Sequence, residues 1–340
     1  MDLISVIIPL YNAEDFVEKA YDFIKNQKEL KVPVEIIFVD NNSKDSSFEK
    51  AKHLAQKDEQ VKVFRETRQG APSARNKGFK ESKGNFLYFF DADDQLFDDA
   101  LASLYNVLTS QDVHAVCGRF IKSHKNIEDL SIKEMKYDGD VKVFQPPFLG
   151  LLWFKDLSTT IGPPGFMYTR RVFEELGMYN VEIPASEDTA FDIDLGMRYP
   201  VATINKLIYL YFKHENATTT ILKKKKSRAF MQWPRIIHSH VPFHKKHPDN
   251  HAYTQILKEK IFSSIPRMIH ETNGYQKRKE LFNKTKTDIY PLELPRTYDL
   301  ALKLLVLTNN PILFKFILFK MKSRYIESYD DPTLRLSEYF

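Results

Sequence analysis

Over the first quarter of the chain, short unbroken apolar runs alternate with stretches whose apolar residues recur at helical spacing. Leu3-Ile4-Ser5-Val6-Ile7-Ile8-Pro9 reads as a buried strand, because a strand covered on both faces has no polar alternation. Phe16, Ala20, Phe23 and Ile24 then follow a helical period, with Asn12 placed to cap that helix. A second strand, Val34 to Val39, ends at Asp40, and Asn41-Asn42-Ser43-Lys44-Asp45 turns into a helix that runs to about residue 57. Val61 to Phe64 is a third strand. Gly70-Ala71-Pro72 opens a helix with Ala74, Gly78 and Phe79 on its inner side. The fourth strand, Phe86-Leu87-Tyr88-Phe89-Phe90, runs directly into Asp91-Ala92-Asp93-Asp94. This alternation predicts an α/β unit with a mixed, mainly parallel sheet flanked by helices. In such a sheet ligands sit beyond the carboxyl ends of the strands, where Asp40 and Asp91 both fall. No Gly-x-Gly-x-x-Gly follows the first strand and no Walker loop is present, so Rossmann dinucleotide binding and P-loop phosphate binding are disfavoured.

From about residue 221 the pattern changes. Lys223 to Lys226 form a cationic run, and aromatic, His-rich helical periods follow, with breaks expected near Pro234, Pro242, Pro248 and Pro291 to Pro295. Residues 221–340 carry 23 Lys+Arg against 11 Asp+Glu, while residues 1–220 carry 27 against 34. A basic region behind an acidic one points to an anionic partner, a membrane surface or nucleic acid. Without a zinc-finger, RNA-recognition or helix-turn-helix signature, nucleic acid is not expected. Residues 312–322 are apolar and basic, too short and too charged to span a bilayer; they suit peripheral membrane contact, a packing helix or an oligomer contact equally. The six histidines between His238 and His270 lack metal-site spacing and read as surface residues. Cys117 is the only cysteine, which excludes an internal disulfide framework and suits a reducing compartment. The apolar start lacks a basic flank and a cleavage site, so no signal peptide is expected and the location implied is cytoplasmic, or peripheral on the inner face of the plasma membrane.

The chemistry concentrates at Asp91-Ala92-Asp93. Carboxylates set at a sheet's ligand edge suit a hard divalent ion, Mg²⁺ or Mn²⁺, shared with substrate phosphates. Together with Ser5-Val6-Ile7-Ile8-Pro9-Leu10-Tyr11-Asn12, Phe38-Val39-Asp40-Asn41-Asn42-Ser43 and Ala74-Arg75-Asn76-Lys77-Gly78, this motif resembles the inverting family 2 glycosyltransferases of the GT-A fold, of the bacterial surface-polysaccharide type. Glu187-Asp188 is similar to that family's acidic acceptor-side motif, and Asn41-Asn42 departs from its more usual Asp-Gly or Asn-Gly.

The resemblance implies a role for each matching residue. Pro9 and Tyr11 would border the nucleotide base, and Asp40 would accept from a base N–H. Arg75 would approach the donor diphosphate or sugar. Asp91, Ala92 and Asp93 would line the donor, Asp93 holding Mn²⁺ or Mg²⁺ with His214 as a further ligand. Asp188 would be the general base, with Glu187 contacting the acceptor. Plainer alternatives stand beside these: an Asx turn at Asp40, a surface cation at Arg75, a structural histidine at His214, and a dipole-favoured helix start at Glu187-Asp188.

Thr159 to Phe166 is a Gly/Pro-rich stretch before a helix at Arg170 to Leu176, read as a close approach to substrate or a plain connection. Trp153 and Phe154 are candidates for stacking on a sugar or for the core. Lys206 to Phe212 is a further strand, and Asn216-Ala217-Thr218 matches a glycosylation sequon that a cytoplasmic bacterial chain does not use.

The domains expected are a GT-A region over 1–220, with a donor half to 110 and an acceptor half from 111, and a basic, mainly helical region over 221–340. The function expected is transfer of a sugar from a nucleotide diphosphate donor, a UDP-sugar, to a glycan or lipid-linked acceptor. The alternatives are a sugar nucleotidyltransferase and a non-enzymatic sugar-nucleotide-binding protein of the membrane surface.

Overall fold

The computed structural model describes residues 2–130, 137–214 and 227–326. The Lys223–Lys226 run and the Asn216-Ala217-Thr218 sequon lie outside the described residues. The described chain divides into two compact units: residues 2–181 with 187–214, and residues 182–186 with 227–326.

The first unit is built on one sheet. Strands β1 (Ile4–Leu10), β2 (Val34–Asp40), β3 (Val61–Arg65) and β4 (Phe86–Phe89) are parallel in the order β3-β2-β1-β4. Helices α1 (Val17–Lys25), α2 (Ser47–Lys57) and α3 (Ala71–Glu81) make the crossovers. Val6, Ile7, Ile8, Ile36, Ile37, Phe38 and Phe89 are fully buried, as their unbroken apolar runs require. A Cβ at Gly78 would stand 2.3 Å from Ile7 Cγ2, so a glycine lets α3 lie directly on β1. Asn12 does not cap α1. Its backbone is left-handed (φ 49°), its Oδ1 accepts from Lys44 N at 2.9 Å, and the helix starts from Phe16 without a side-chain cap. Asn12 ties the β1 and β2 ends together, a tertiary use that overrides its local capping preference.

The second half of the sheet contains β5 (Gln95–Leu96), β6 (Ala115–Ser123), β7 (Val141–Phe144), β8 (Phe166–Thr169) and β9 (Val201–Phe212), with helices α4 (Ala100–Ser110), α5 (Phe148–Lys155), α6 (Arg170–Leu176) and α7 (Glu187–Arg198). The order continues β4-β8-β6-β9-β5, with β7 on β9. The long ladders are parallel, including β6 with β9; the short β8 is antiparallel to both neighbours. The stretch before α6 is therefore more than a connection, since its end forms β8. Trp153 and Phe154 are 0% and 1% exposed, which settles them in the core; the Trp153 indole meets the Phe166 ring edge-on, 5.9 Å between centroids.

The second unit is helical: α8 (Arg228–Arg235), a π turn (Ile236–His240), α9 (Val241–Lys246), α10 (His251–Glu271), α11 (Tyr275–Asp288), α12 (Arg296–Thr308) and α13 (Pro311–Phe316), which continues as a π turn (Ile317–Met321). Tyr253, Leu257, Ile265, Met268, Tyr298, Leu302 and Leu305 form its core. Pro234 lies inside α8 and not at a break; the π turn follows two residues later. The reading of all six histidines as surface residues fails for His240 and His244, which are buried against Tyr253 Oη (2.8 Å) and Thr254 Oγ1 (2.9 Å). Among the described residues no helix is long and apolar enough to cross a membrane.

Candidate active site

Parallel pairing sets the carboxyl ends of β1, β2 and β4 side by side: Leu10 pairs with Asp40, and Ile7 with Phe89. Pro9 and Tyr11 stand at the end of β1, with Tyr11 51% exposed. Asp40 closes β2 with its side chain buried, and its Oδ1 has no hydrogen-bond partner among the described residues. A desolvated, unpaired carboxyl oxygen is costly, and a hydrogen-bond donor brought to Asp40 would relieve that cost.

The loop 66–70 is laced to the end of β2 by Asn41. Its Nδ2 donates to Glu66 O (2.9 Å) and Arg68 O (2.8 Å), and its Oδ1 accepts from Gly70 N (2.6 Å). Loop 66–70 leads into α3, which carries Arg75 inward. That guanidinium bridges two elements far apart in sequence, donating from Nη2 to Asp91 Oδ1 (2.6 Å) and from Nη1 to Glu187 Oε1 (2.7 Å). Tyr179 lies alongside, its ring centre 5.5 Å from Arg75 Cζ. The two carboxylates hold Arg75 firmly protonated despite its burial.

After β4, Asp91, Asp93 and Asp94 diverge while Ala92 is buried. Asp93 Oδ2 meets His214 Nε2 at 2.8 Å, across from the end of β9, and this hydrogen bond raises the imidazole pKa. Asp94 turns inward and accepts from Phe212 N at 3.1 Å, which fixes the β9 end that carries His214. Burial pushes the Asp94 carboxyl well up, and the charges of Asp93 and Asp91 add to that. Burial raises Asp91 as well, against the pull of Arg75.

At the start of α7, burial and the neighbouring Asp188 lift the Glu187 carboxyl to about 7. Asp188 is half-buried, with Oδ1 accepting from Thr189 N at 2.7 Å. A Cβ at Gly162 would come within 4.0 Å of Asp188 Oδ2, so the loop before β8 passes beside this carboxylate. Gly162 has φ +85°, a backbone conformation that side chains resist. Tyr88 Oη donates to Pro164 O and Tyr209 Oη to Ile161 O, fixing the loop from both sides. One helical turn on from Asp188, Asp192 is buried, accepts from Gly162 N, and is raised well above its ordinary value by burial and by Asp188.

Arg75, Asp91 and Glu187 thus form one ion-paired group, and Asp93 with His214 another; among the described residues no hydrogen bond or ion pair links Asp40, Pro9 or Tyr11 to either group. Sequence reading left Asp94, Asp192, Tyr179, Tyr88 and Tyr209 without roles. Asp192 had a visible signal, a carboxylate inside the apolar run Ala190-Phe191-Asp192-Ile193. The tyrosines had none, since each acts across a long sequence separation.

Six carboxyl groups (Asp91, Asp93, Asp94, Glu187, Asp188, Asp192) crowd together with one guanidinium, and burial and mutual repulsion raise four of them, a repulsion that a bound cation would relieve. Asp93 and His214 offer one carboxylate oxygen and one imidazole nitrogen. Among the described residues no group of three or more ligating side chains forms a closed cage. The two donors therefore fit a divalent ion that takes its remaining ligands from substrate phosphates and water.

Residues 5–177 match the family model described as Glycosyl transferase family 2. A Bacillus subtilis protein described as the uncharacterized glycosyltransferase EpsJ is 25% identical over 235 residues, covering 64% of this chain and 63% of that one. A Campylobacter jejuni GalNAc(5)-diNAcBac-PP-undecaprenol beta-1,3-glucosyltransferase is 31% identical over 146 residues, 42% of this chain and 46% of its own. The chain thus spans less than two thirds of the length of these relatives. The crystal structure of Staphylococcus aureus TarS 1-349 in complex with UDP-GlcNAc superposes with a TM-score of 0.65 at 16% identity, over 95% of this chain and 92% of that one, which shows the same GT-A fold. With the family match covering just over half of the 340 residues, the chain belongs to glycosyl transferase family 2.

Proposed function

We propose that the protein is an inverting glycosyltransferase that moves a sugar from a uridine diphosphate donor to a hydroxyl of a glycan or lipid-linked acceptor. The observation that carries this reading is the Asp93–His214 pair, 2.8 Å apart, beside the Asp91–Arg75–Glu187 bridge at the carboxyl edge of the sheet. The unpaired Asp40 Oδ1 supports it as an acceptor for a base N–H, with Tyr11 and Pro9 bordering the base. TarS, a protein of the same fold, has been crystallised with UDP-GlcNAc and with UDP.

Asp93 and His214 would hold Mn²⁺ or Mg²⁺; the imidazole makes Mg²⁺ the poorer match. When bound, the ion neutralises charge developing on the departing diphosphate. Arg75 orients Asp91 and Glu187 and keeps both from repelling the donor. Asp188 takes the proton of the acceptor hydroxyl as its oxygen bonds to the anomeric carbon. The bond from that carbon to the diphosphate oxygen breaks on the opposite side, and the diphosphate leaves with the electron pair. A single in-line displacement inverts the anomeric centre. Glu187, with its pKa near neutrality, can offer the acceptor either a donor or an acceptor of hydrogen bonds. Asp192 and the two tyrosines keep the Gly162 loop beside Asp188.

The test is release of nucleoside diphosphate from a panel of sugar nucleotides, with Mn²⁺ or with EDTA, led by UDP-glucose and UDP-GlcNAc. Metal-dependent release from one uridine donor that disappears in Asp93→Ala is the expected result. Release that persists in EDTA and in Asp93→Ala would overturn the assignment of Asp93.

A further inference from the structure

Two consecutive helices of the second unit repeat one pattern. Leu300, Lys303, Leu304 and Leu307 on α12 have the same spacing as Ile312, Lys315, Phe316 and Phe319, twelve residues later in α13 and its π turn. In each helix the apolar members stand at i, i+4 and i+7 with a lysine at i+3. The apolar members are all exposed: Leu300 61%, Leu304 49%, Leu307 62%, Ile312 77%, Phe316 45% and Phe319 66%. A surface helix ordinarily turns an apolar stripe inward and a polar face outward. Here the inward stripe is already filled by Tyr298, Leu302, Leu305, Val306, Ile317 and Leu318, so the exposed residues form a second, outward stripe.

The inward faces are fastened in place. Tyr298 Oη donates to Phe262 O at 2.6 Å, Phe314 stacks on His270 at 4.3 Å, and His270 Nδ1 lies 3.0 Å from Asn309 Oδ1 at the corner between the helices. Rotating the outward stripes into the core would break these contacts.

Charge identifies the occupant. Between residues 296 and 326 there are six cations (Arg296, Lys303, Lys315, Lys320, Lys322, Arg324) and one acid, Asp299. Lys303 pairs with Asp299 (2.7 Å) and Lys322 with Glu259 (3.3 Å), so the segment keeps a strong positive excess carried chiefly by Arg296, Lys315, Lys320 and Arg324. Two copies meeting through these helices would set like charge against like. An anionic lipid surface instead takes the apolar side chains into its acyl boundary and the lysines at its headgroups.

We propose that α12 and α13 form a peripheral membrane-docking surface for anionic phospholipid, with Leu300, Leu304, Leu307, Ile312, Phe316 and Phe319 entering the interface and Lys303, Lys315 and Lys320 meeting the phosphates. This surface does not depend on the transferase reading.

The test is flotation of the full chain with vesicles of phosphatidylcholine alone and of phosphatidylcholine mixed with phosphatidylglycerol. The wild type floats with the mixed vesicles, floats poorly with the neutral ones, and is released by raised salt. Leu304→Glu with Phe319→Glu, and separately Lys303→Glu with Lys315→Glu and Lys320→Glu, each lower the bound fraction about tenfold or more while leaving the helical circular dichroism unchanged. No flotation of the wild type, or flotation that both variants retain, overturns the proposal. So does a wild type that dimerises without floating and becomes monomeric in Leu304→Glu with Phe319→Glu, which would assign the stripes to a second copy.

Discussion

Arg75 in the sheet unit and Arg278 in the helical unit are both buried guanidinium groups, 5% and 8% exposed, with different surroundings. Arg278 on α11 donates to Val306 O (2.8 Å) and Thr272 O (3.4 Å), carbonyls that flanking helices leave unpaired at their ends. Arg75 sits among carboxylates from two distant stretches of the chain, Asp91 after β4 and Glu187 with Asp188 at the start of α7, which outnumber it. The histidines follow the same division: the buried His240 and His244 meet hydroxyls, whereas the part-buried His214 meets a carboxylate. Burial of polar groups therefore does not by itself mark a site. In the helical unit it completes the packing, and in the sheet unit it leaves an unbalanced charge that a ligand can balance.

The largest expected effect falls on the reacting groups. Asp188→Asn should lower kcat about 10²- to 10⁴-fold with donor binding retained, measured by donor titration and turnover. Next is stability, where the two arginines separate. Arg75→Met strands the buried Glu187 and the half-buried Asp91 and should cost about 3–5 kcal/mol in urea denaturation. Arg278→Met removes bonds to carbonyls only and should cost about 1–3 kcal/mol. Equal costs would erase the distinction drawn between the units. Asp40→Ala should weaken binding of uridine diphosphate about tenfold to a hundredfold by calorimetry, because the base loses a charged acceptor.

Much of this division was readable in the chain. The unbroken runs of β1, β2 and β4 mark buried strands, and their ends alone put Asp40 and Asp91 at the ligand edge. Arg170–Leu176 formed the helix expected there. What escaped was decided by contacts between distant segments. Asn12 looked like a cap and became a tether. Phe166–Thr169 is too short to distinguish from a loop and became a strand because β4 and β6 flank it. The Arg75–Glu187 pair spans 112 positions, beyond any local pattern. The helical unit was less legible still, since His240 and His244 carry no signal for burial apart from their partners.

The smallest expected effects are pH-dependent and run in opposite directions. The folded chain holds a proton on Glu187 up to about pH 7, whereas an unfolded glutamate gives it up near its ordinary value. Glu187 therefore makes stability fall as pH rises through that window, and Glu187→Gln should remove that part of the slope. Burial keeps His240 and His244 neutral below the ordinary histidine range, so they make stability fall as pH drops below about 6.5. His240→Asn should flatten that acid limb, measured by urea denaturation at a series of pH values.

The most direct measurement is calorimetric binding of uridine diphosphate in Mn²⁺ and in EDTA, to the wild type and to Asp93→Ala. If the unbalanced carboxylates form a nucleotide and cation site, Mn²⁺ tightens binding to the wild type and that gain disappears in the variant. Equal affinity with and without Mn²⁺ in both proteins would contradict the account.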